Sequence, residues 1–117
     1  MALCVDLAEG TTTLATTVEA ALDSASRKRG LLGRDALAPG AALVIAPSNG
    51  VHTFFMKFAI DVVFVARDGR VVKIARAVNP WRACLALRAF AAVELAAGAA
   101  ETAELRVGDR LSVRPRT

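Results

Sequence analysis

Arg34, His52, Lys57 and Asp61 are the side chains of this chain best suited to chemistry. Three of them lie in or beside one apolar block, Val51-His-Thr-Phe-Phe-Met-Lys-Phe-Ala-Ile-Asp-Val-Val63. Ionisable groups are costly to desolvate unless they are paired or hydrogen-bonded, so their presence in such a run needs a cause. His52 is the only histidine, and an imidazole suits proton transfer or hydrogen bonding to a ligand. With Phe54 and Phe55 as apolar wall, the four polar residues form a candidate ligand-binding surface. A few polar anchors on apolar walls is the usual make-up of such sites.

Each residue also has an architectural reading. Arg34 would fork onto a carboxylate or phosphate; equally, it would cap helix carbonyls or pair with an internal carboxylate such as Asp61 or Glu94. If Val51 to Lys57 is extended, side chains alternate. His52, Phe54 and Met56 then share one face, with Thr53, Phe55 and Lys57 on the other, which separates His52 from Lys57. Asp61 begins an apolar run, and an unpaired buried carboxylate is prohibitive. It must therefore accept backbone amides or face an Arg or Lys. Glu94, inside Val93-Glu94-Leu95, poses the same problem, and the two carboxylates would act as an acid/base pair only if they converge. Trp81, after Pro80, either covers the core edge or offers a stacking platform. The chain has no Gly-rich phosphate loop, no Gly-x-Ser-x-Gly elbow and no Cys–His nucleophile spacing.

The elements that must position these residues read mostly as strands. Ala2 to Leu7 is a first strand, turned at Glu9-Gly10, and Thr11 to Leu22 is extended. Asp23 and Ser24 are N-cap types for a helix predicted to run to about Leu32, with Gly33 near its end. Pro39-Gly40 is a turn before a strand at Ala42 to Ala46, and Pro47-Ser-Asn-Gly50 is another turn. Ile60 to Ala66 and Val71 to Val78 flank Asp68-Gly69, a composition favoured in tight hairpin turns. Asn79-Pro80-Trp81 opens a loop through about Arg88. Phe90 to Ala97 is a strand, Ala99 to Leu105 a helical turn, Arg106 to Asp109 a turn and Arg110 to Val113 the closing strand. Strands that follow one another without long helices argue against a parallel βαβ fold. The expectation is a single α+β domain over 1–117, with a curved, mostly antiparallel sheet or partial barrel and one or two short helices.

With 117 residues and 55% hydrophobic composition, one domain has enough apolar material for a core. The net charge of +4 is spread along the chain, and aromatics are 5% with no Tyr. That argues against nucleic-acid binding, which uses clustered basic residues and stacking aromatics. No stretch approaches the ~18 apolar residues of a membrane span, and the first twenty residues lack a signal-peptide pattern. A cytoplasmic protein is expected, or an exported one if a leader has been removed. Cys4 and Cys84 lack ligand spacing, and one His cannot complete a usual zinc site with them. No metal or cofactor is expected.

Four separated motifs resemble the DUF192 (UPF0127) family: Arg29-Gly-Leu-Leu-Gly-Arg34, His52-Thr-Phe-Phe-Met-Lys57, Ile60-Asp-Val-Val-Phe64 with Asp68-Gly-Arg-Val-Val72, and Val93-Glu-Leu-Ala-Ala-Gly98 with Val107-Gly-Asp109. The likeness spans about residues 15–114. Leu32 stands where that family commonly has Met, Phe55 where Trp is frequent, and Phe58-Ala59 replaces a longer polar connection. The resemblance implies a small α+β domain without an established activity. The expected function is binding of an anionic or polar ligand, a carbohydrate or peptide segment among the candidates, at Arg34, His52, Phe54, Phe55, Lys57 and Asp61. The alternatives are a hydrolase or lyase with His52 or Asp61 as general base, and a structural or interaction domain with no small-molecule site.

Overall fold

The computed structural model describes residues 1–115. In chain order the elements are β1 (Ala2–Asp6), β2 (Thr11–Ala15), β3 (Thr17–Ala21), α1 (Ser24–Arg29), β4 (Ala41–Ile45), β5 (Gly50–His52), β6 (Ile60–Val65), β7 (Val71–Val78), β8 (Ala83–Leu85), β9 (Ala91–Ala96), α2 (Ala99–Thr102) and β10 (Arg110–Arg114). They form a five-stranded sheet in the order β3-β4-β9-β6-β7, a three-stranded sheet β10-β1-β2 and a ribbon of β5 with β8. The fold is α+β and mostly sheet, and its sheets do not close into a barrel. All strand pairs are antiparallel except β3 with β4, which run parallel and are joined through α1. No helix of the described residues is long and apolar enough to cross a membrane.

The inner strand β6, between β9 and β7, explains the arrangement. All six of its residues are buried. Ile60, Val62 and Phe64 enter one core with Leu31, Leu43, Ile45 and Met56. Val63 and Val65 enter the other core with Leu3, Val5, Leu95 and Leu105. Side chains alternate across a strand, so covering both faces of the sheet demands an unbroken apolar run.

The hairpin joining β6 to β7 forms at Asp68-Gly69, but its turn differs from the tight type in which both central residues have positive φ. Only Gly69 does, at 89°; the Asp68 carboxylate instead accepts the Arg70 amide at 3.0 Å. A Cβ on Gly69 would collide with the Leu111 carbonyl. The Leu111 amide donates to the Gly69 carbonyl at 2.8 Å, so this close approach links the hairpin to β10 and joins the two larger sheets.

Two expectations are corrected. α1 is capped by Asp23, whose carboxylate accepts the Ser26 amide, but it ends at Arg29 rather than near Leu32. Gly30 leaves the helical region with φ 46°, and Gly33 turns the chain again with φ 84°. The supposed loop after Trp81 contains β8, which pairs with β5; Ala83-Cys-Leu85 is too short and uniform to show a strand pattern.

Asp61 is fully buried. Its Oδ1 accepts the Ala77 amide at 2.8 Å and its Oδ2 the Ala100 amide at 2.9 Å. The second bond caps α2, whose own N-cap, Gly98, supplies no side chain. The first holds Ala77 at φ 47°, a conformation uncommon outside glycine. One carboxylate thus fixes β6, β7 and α2 together. Asp61→Ala should destabilise the domain by about 2–4 kcal/mol: the buried Ala100 amide left without an acceptor costs about 1–3 kcal/mol, and the Ala77 amide, on an exposed residue, adds less because water can reach it. Urea denaturation should show Asp61→Asn losing less, since it retains one acceptor oxygen.

Candidate functional site

Beneath α1, the second carboxylate of the sheet lacks the donors that Asp61 has. Glu94 lies on β9 opposite Val62. Alternation with Val93 and Leu95 turns it toward the core of Leu31, Ile45 and Met56, whereas Asp61 faces the opposite core. The two carboxylates therefore point to opposite faces of one sheet and do not form an acid/base pair. Glu94 is 3% exposed, and its Oε1 has no hydrogen-bond partner among the described residues. Burial pushes its carboxyl up to about 7, with the Arg34 guanidinium pulling the other way.

Glu94 lines a cleft of about 250 Å³. The other walls come from the end of α1 with Gly30 to Leu32, from the 47–52 segment and from Met56. Gly30 lies close to Glu94: a Cβ there would stand 4.0 Å from Oε1, at ordinary contact distance. Arg27, Lys28 and Arg29, the last turn of α1, line the same cleft. The result is a buried acceptor beneath a cationic rim. Strongly perturbed carboxyls in clefts are functional-site candidates, because folding alone gives little reason to retain them.

Of the six residues singled out in the sequence, His52 lines this cleft and the others do not. Its ring stacks on Phe54 with centroids 4.8 Å apart, and its Nδ1 accepts the Phe54 amide at 3.3 Å. Phe54 and Phe55 lie beside Trp81, with ring centroids 6.0 and 4.6 Å from it. Arg34 is drawn to β3, where Nη2 meets Glu19 Oε2 at 2.6 Å. Lys57 reaches Asp35 at 3.1 Å on the exposed surface. Asp61 is committed to backbone amides in the other core. The expected gathering of Arg34, Lys57 and Asp61 around His52 does not occur, because 53–56 is a turn and the strand ends at His52.

Thr53 organises that turn, and nothing in the sequence reading marked it. It is fully buried. Its hydroxyl donates to the Asn79 carbonyl at 2.6 Å and accepts the Arg82 amide at 2.9 Å, while its carbonyl accepts the Trp81 amide at 3.0 Å. A threonine within an aromatic run, facing an Asn-Pro turn, is the only sequence signal it offers.

The sequence pattern of the DUF192 family, an uncharacterized ACR, matches residues 5–113. A protein of unknown function from Novosphingobium aromaticivorans DSM 12444 shares the fold with a TM-score of 0.83 at 22% identity, covering 97% of this chain and 84% of that one. A protein called a candidate transcription regulator, from Sinorhizobium meliloti 1021, is similar with a TM-score of 0.83 at 25% identity, covering 94% of this chain and 90% of that one. No curated protein matches.

Raising a carboxyl from its ordinary 4.5 to about 7 means that the folded state holds a proton the unfolded chain has released. Stability is therefore present below about pH 4.5, falls as pH rises toward 7 and stays lower beyond it. A spread of that size is worth about 3 kcal/mol. Glu94→Gln should flatten this fall and leave the variant about 1–2 kcal/mol more stable than the parent at pH 8, since its amide retains part of the desolvation cost. Urea titrations at pH 5 and pH 8 measure the difference.

Proposed function

The chain belongs to the DUF192 family, and for this member we propose that the cleft beneath α1 binds a small polar ligand. The observation that carries the reading is the Glu94 carboxyl, buried in a cleft with no partner for Oε1 among the described residues. A ligand hydroxyl or amine entering the cleft would supply the missing donor, and an anionic group on the same molecule would meet Arg27, Lys28 or Arg29. The volume of about 250 Å³ falls just below the ~300–1,000 Å³ usual for drug-sized ligands. It suits one sugar ring or the end of a peptide segment better than a nucleotide. His52 closes one side, backed by Phe54.

A hydrolase or lyase is the second reading, favoured by Glu94 and His52 sharing the cleft. Asp61 gives it no support, because both of its oxygens are occupied and it lines no part of the cleft. The regulator label belongs to that structural relative; here helices of six and four residues are too short to serve as a recognition helix in a major groove.

A thermal-shift screen of hexoses, hexuronates, small carboxylates and amino acids tests the binding reading. A ligand at 100 times its Kd should stabilise the fold by about 2.7 kcal/mol. The shift should shrink in Glu94→Gln and His52→Ala. Without ligand, His52→Ala should stay within about 0.5 kcal/mol of the parent, as exposed substitutions do. Absence of a shift with every compound would sink the reading. A shift unaffected by both variants would place the site elsewhere.

A further inference from the structure

The ribbon of β5 and β8 presents an apolar face that the domain leaves uncovered. Gly50 pairs with Leu85 and His52 with Ala83, so these residues share one face. On either side of them, Trp81, with its left-handed backbone, and Leu87, in the turn that follows β8, are also exposed, while Cys84 and Ala86 are half-buried. Trp81 is 55% exposed, Leu85 63%, Phe55 72% and Leu87 84%. Single exposed apolar residues are ordinary, but a contiguous group marks an interaction surface. Here the rings of Phe54 and Phe55 both lie against that of Trp81.

The aromatics are held in place. Phe55 and Trp81 adopt φ 66° and 68°, a strained conformation for bulky side chains. Thr53 fastens the two loops that carry them. Such strain persists where surrounding structure over-determines it, and it clusters at functional surfaces.

Charge identifies the kind of occupant. No carboxylate occurs between Ala36 and Ile60 or between Gly69 and Val93, the two stretches that build this face. Arg82 and Arg88 are exposed and make no ion pair among the described residues. Trp, Phe and Arg are also the residue types enriched at protein interfaces. We propose that this face docks an extended segment of a partner protein in which apolar and acidic side chains alternate. In an extended segment neighbouring side chains point to opposite sides, so apolar residues at every second position can meet this face together. The surface adjoins the Glu94 cleft at Gly50 and His52, but Phe55, Trp81, Arg82, Leu85, Leu87 and Arg88 line no part of that cleft.

Trp81 is the only tryptophan, and its emission reports occupancy. The probe is a short synthetic peptide alternating Glu with Leu, titrated against the whole protein. The expected result is a saturable blue shift that weakens with salt and is at least about tenfold weaker in Arg82→Glu/Arg88→Glu. Leu87→Ser, a change at an exposed position, should also weaken binding, while circular dichroism confirms that both variants remain folded. No response to the peptide overturns the proposal. So does equal binding of the same peptide with Lys in place of Glu, or unchanged affinity in the charge-reversed variant. A shift with phosphatidylserine vesicles but not with the peptide replaces the protein partner with a lipid surface.

Discussion

A sheet covered on both faces has no inexpensive place for a carboxylate, and this domain puts two in its central strands. β6 and β9 are adjacent, and Asp61 and Glu94 alternate to opposite sides of them. Asp61 meets two backbone amides, one at a left-handed residue and the other at the start of α2. Those bonds hold the irregular end of β7 and a four-residue helix, too short to be stable by itself. The desolvation cost of one charge is thus offset by order imposed on three elements.

Glu94 shows the opposite outcome. The short α1 and the turns at Gly30 and Gly33 that follow it lead the chain over the sheet, and none of the described residues brings a donor to Oε1. Arg34 lowers the carboxyl's proton affinity, but its guanidinium is engaged by Glu19. Burial outweighs that influence, and the group is held near neutrality. Replacing Glu94 itself with a well-packed apolar side chain would have been the stabilising solution; the fold keeps a carboxyl at a cleft instead.

The two surfaces described above depend on one short segment. β5 lasts three residues, and its last, His52, borders the cleft while stacking on Phe54. Thr53 then turns the chain and ties it to the 79–82 loop, which directs Phe55 and Trp81 outward. A buried hydroxyl with donor and acceptor both satisfied rigidifies its surroundings. That is how adjacent residues serve a polar cleft on one side and an aromatic ledge on the other.

Local chemistry was legible in the sequence. The hairpin at Asp68-Gly69, the Asp23 cap, the strands β1, β4, β6, β7, β9 and β10, and the family likeness all rest on alternation, turn residues or motif order, which act over a few neighbours. The need for Asp61 to accept backbone amides also followed from its apolar setting. Which amides it finds depends on β7 and α2, 16 and 39 residues away. The same limit hid the cleft. Arg34, Lys57 and Asp61 are near His52 in order or in type, but side-chain direction in a strand reverses at each residue, and one turn at Thr53 redirects everything after it. Glu94 becomes the focus only when β9 is placed between β4 and β6 beneath α1. That placement is decided by burial of the whole sheet, a property no short stretch of residues contains.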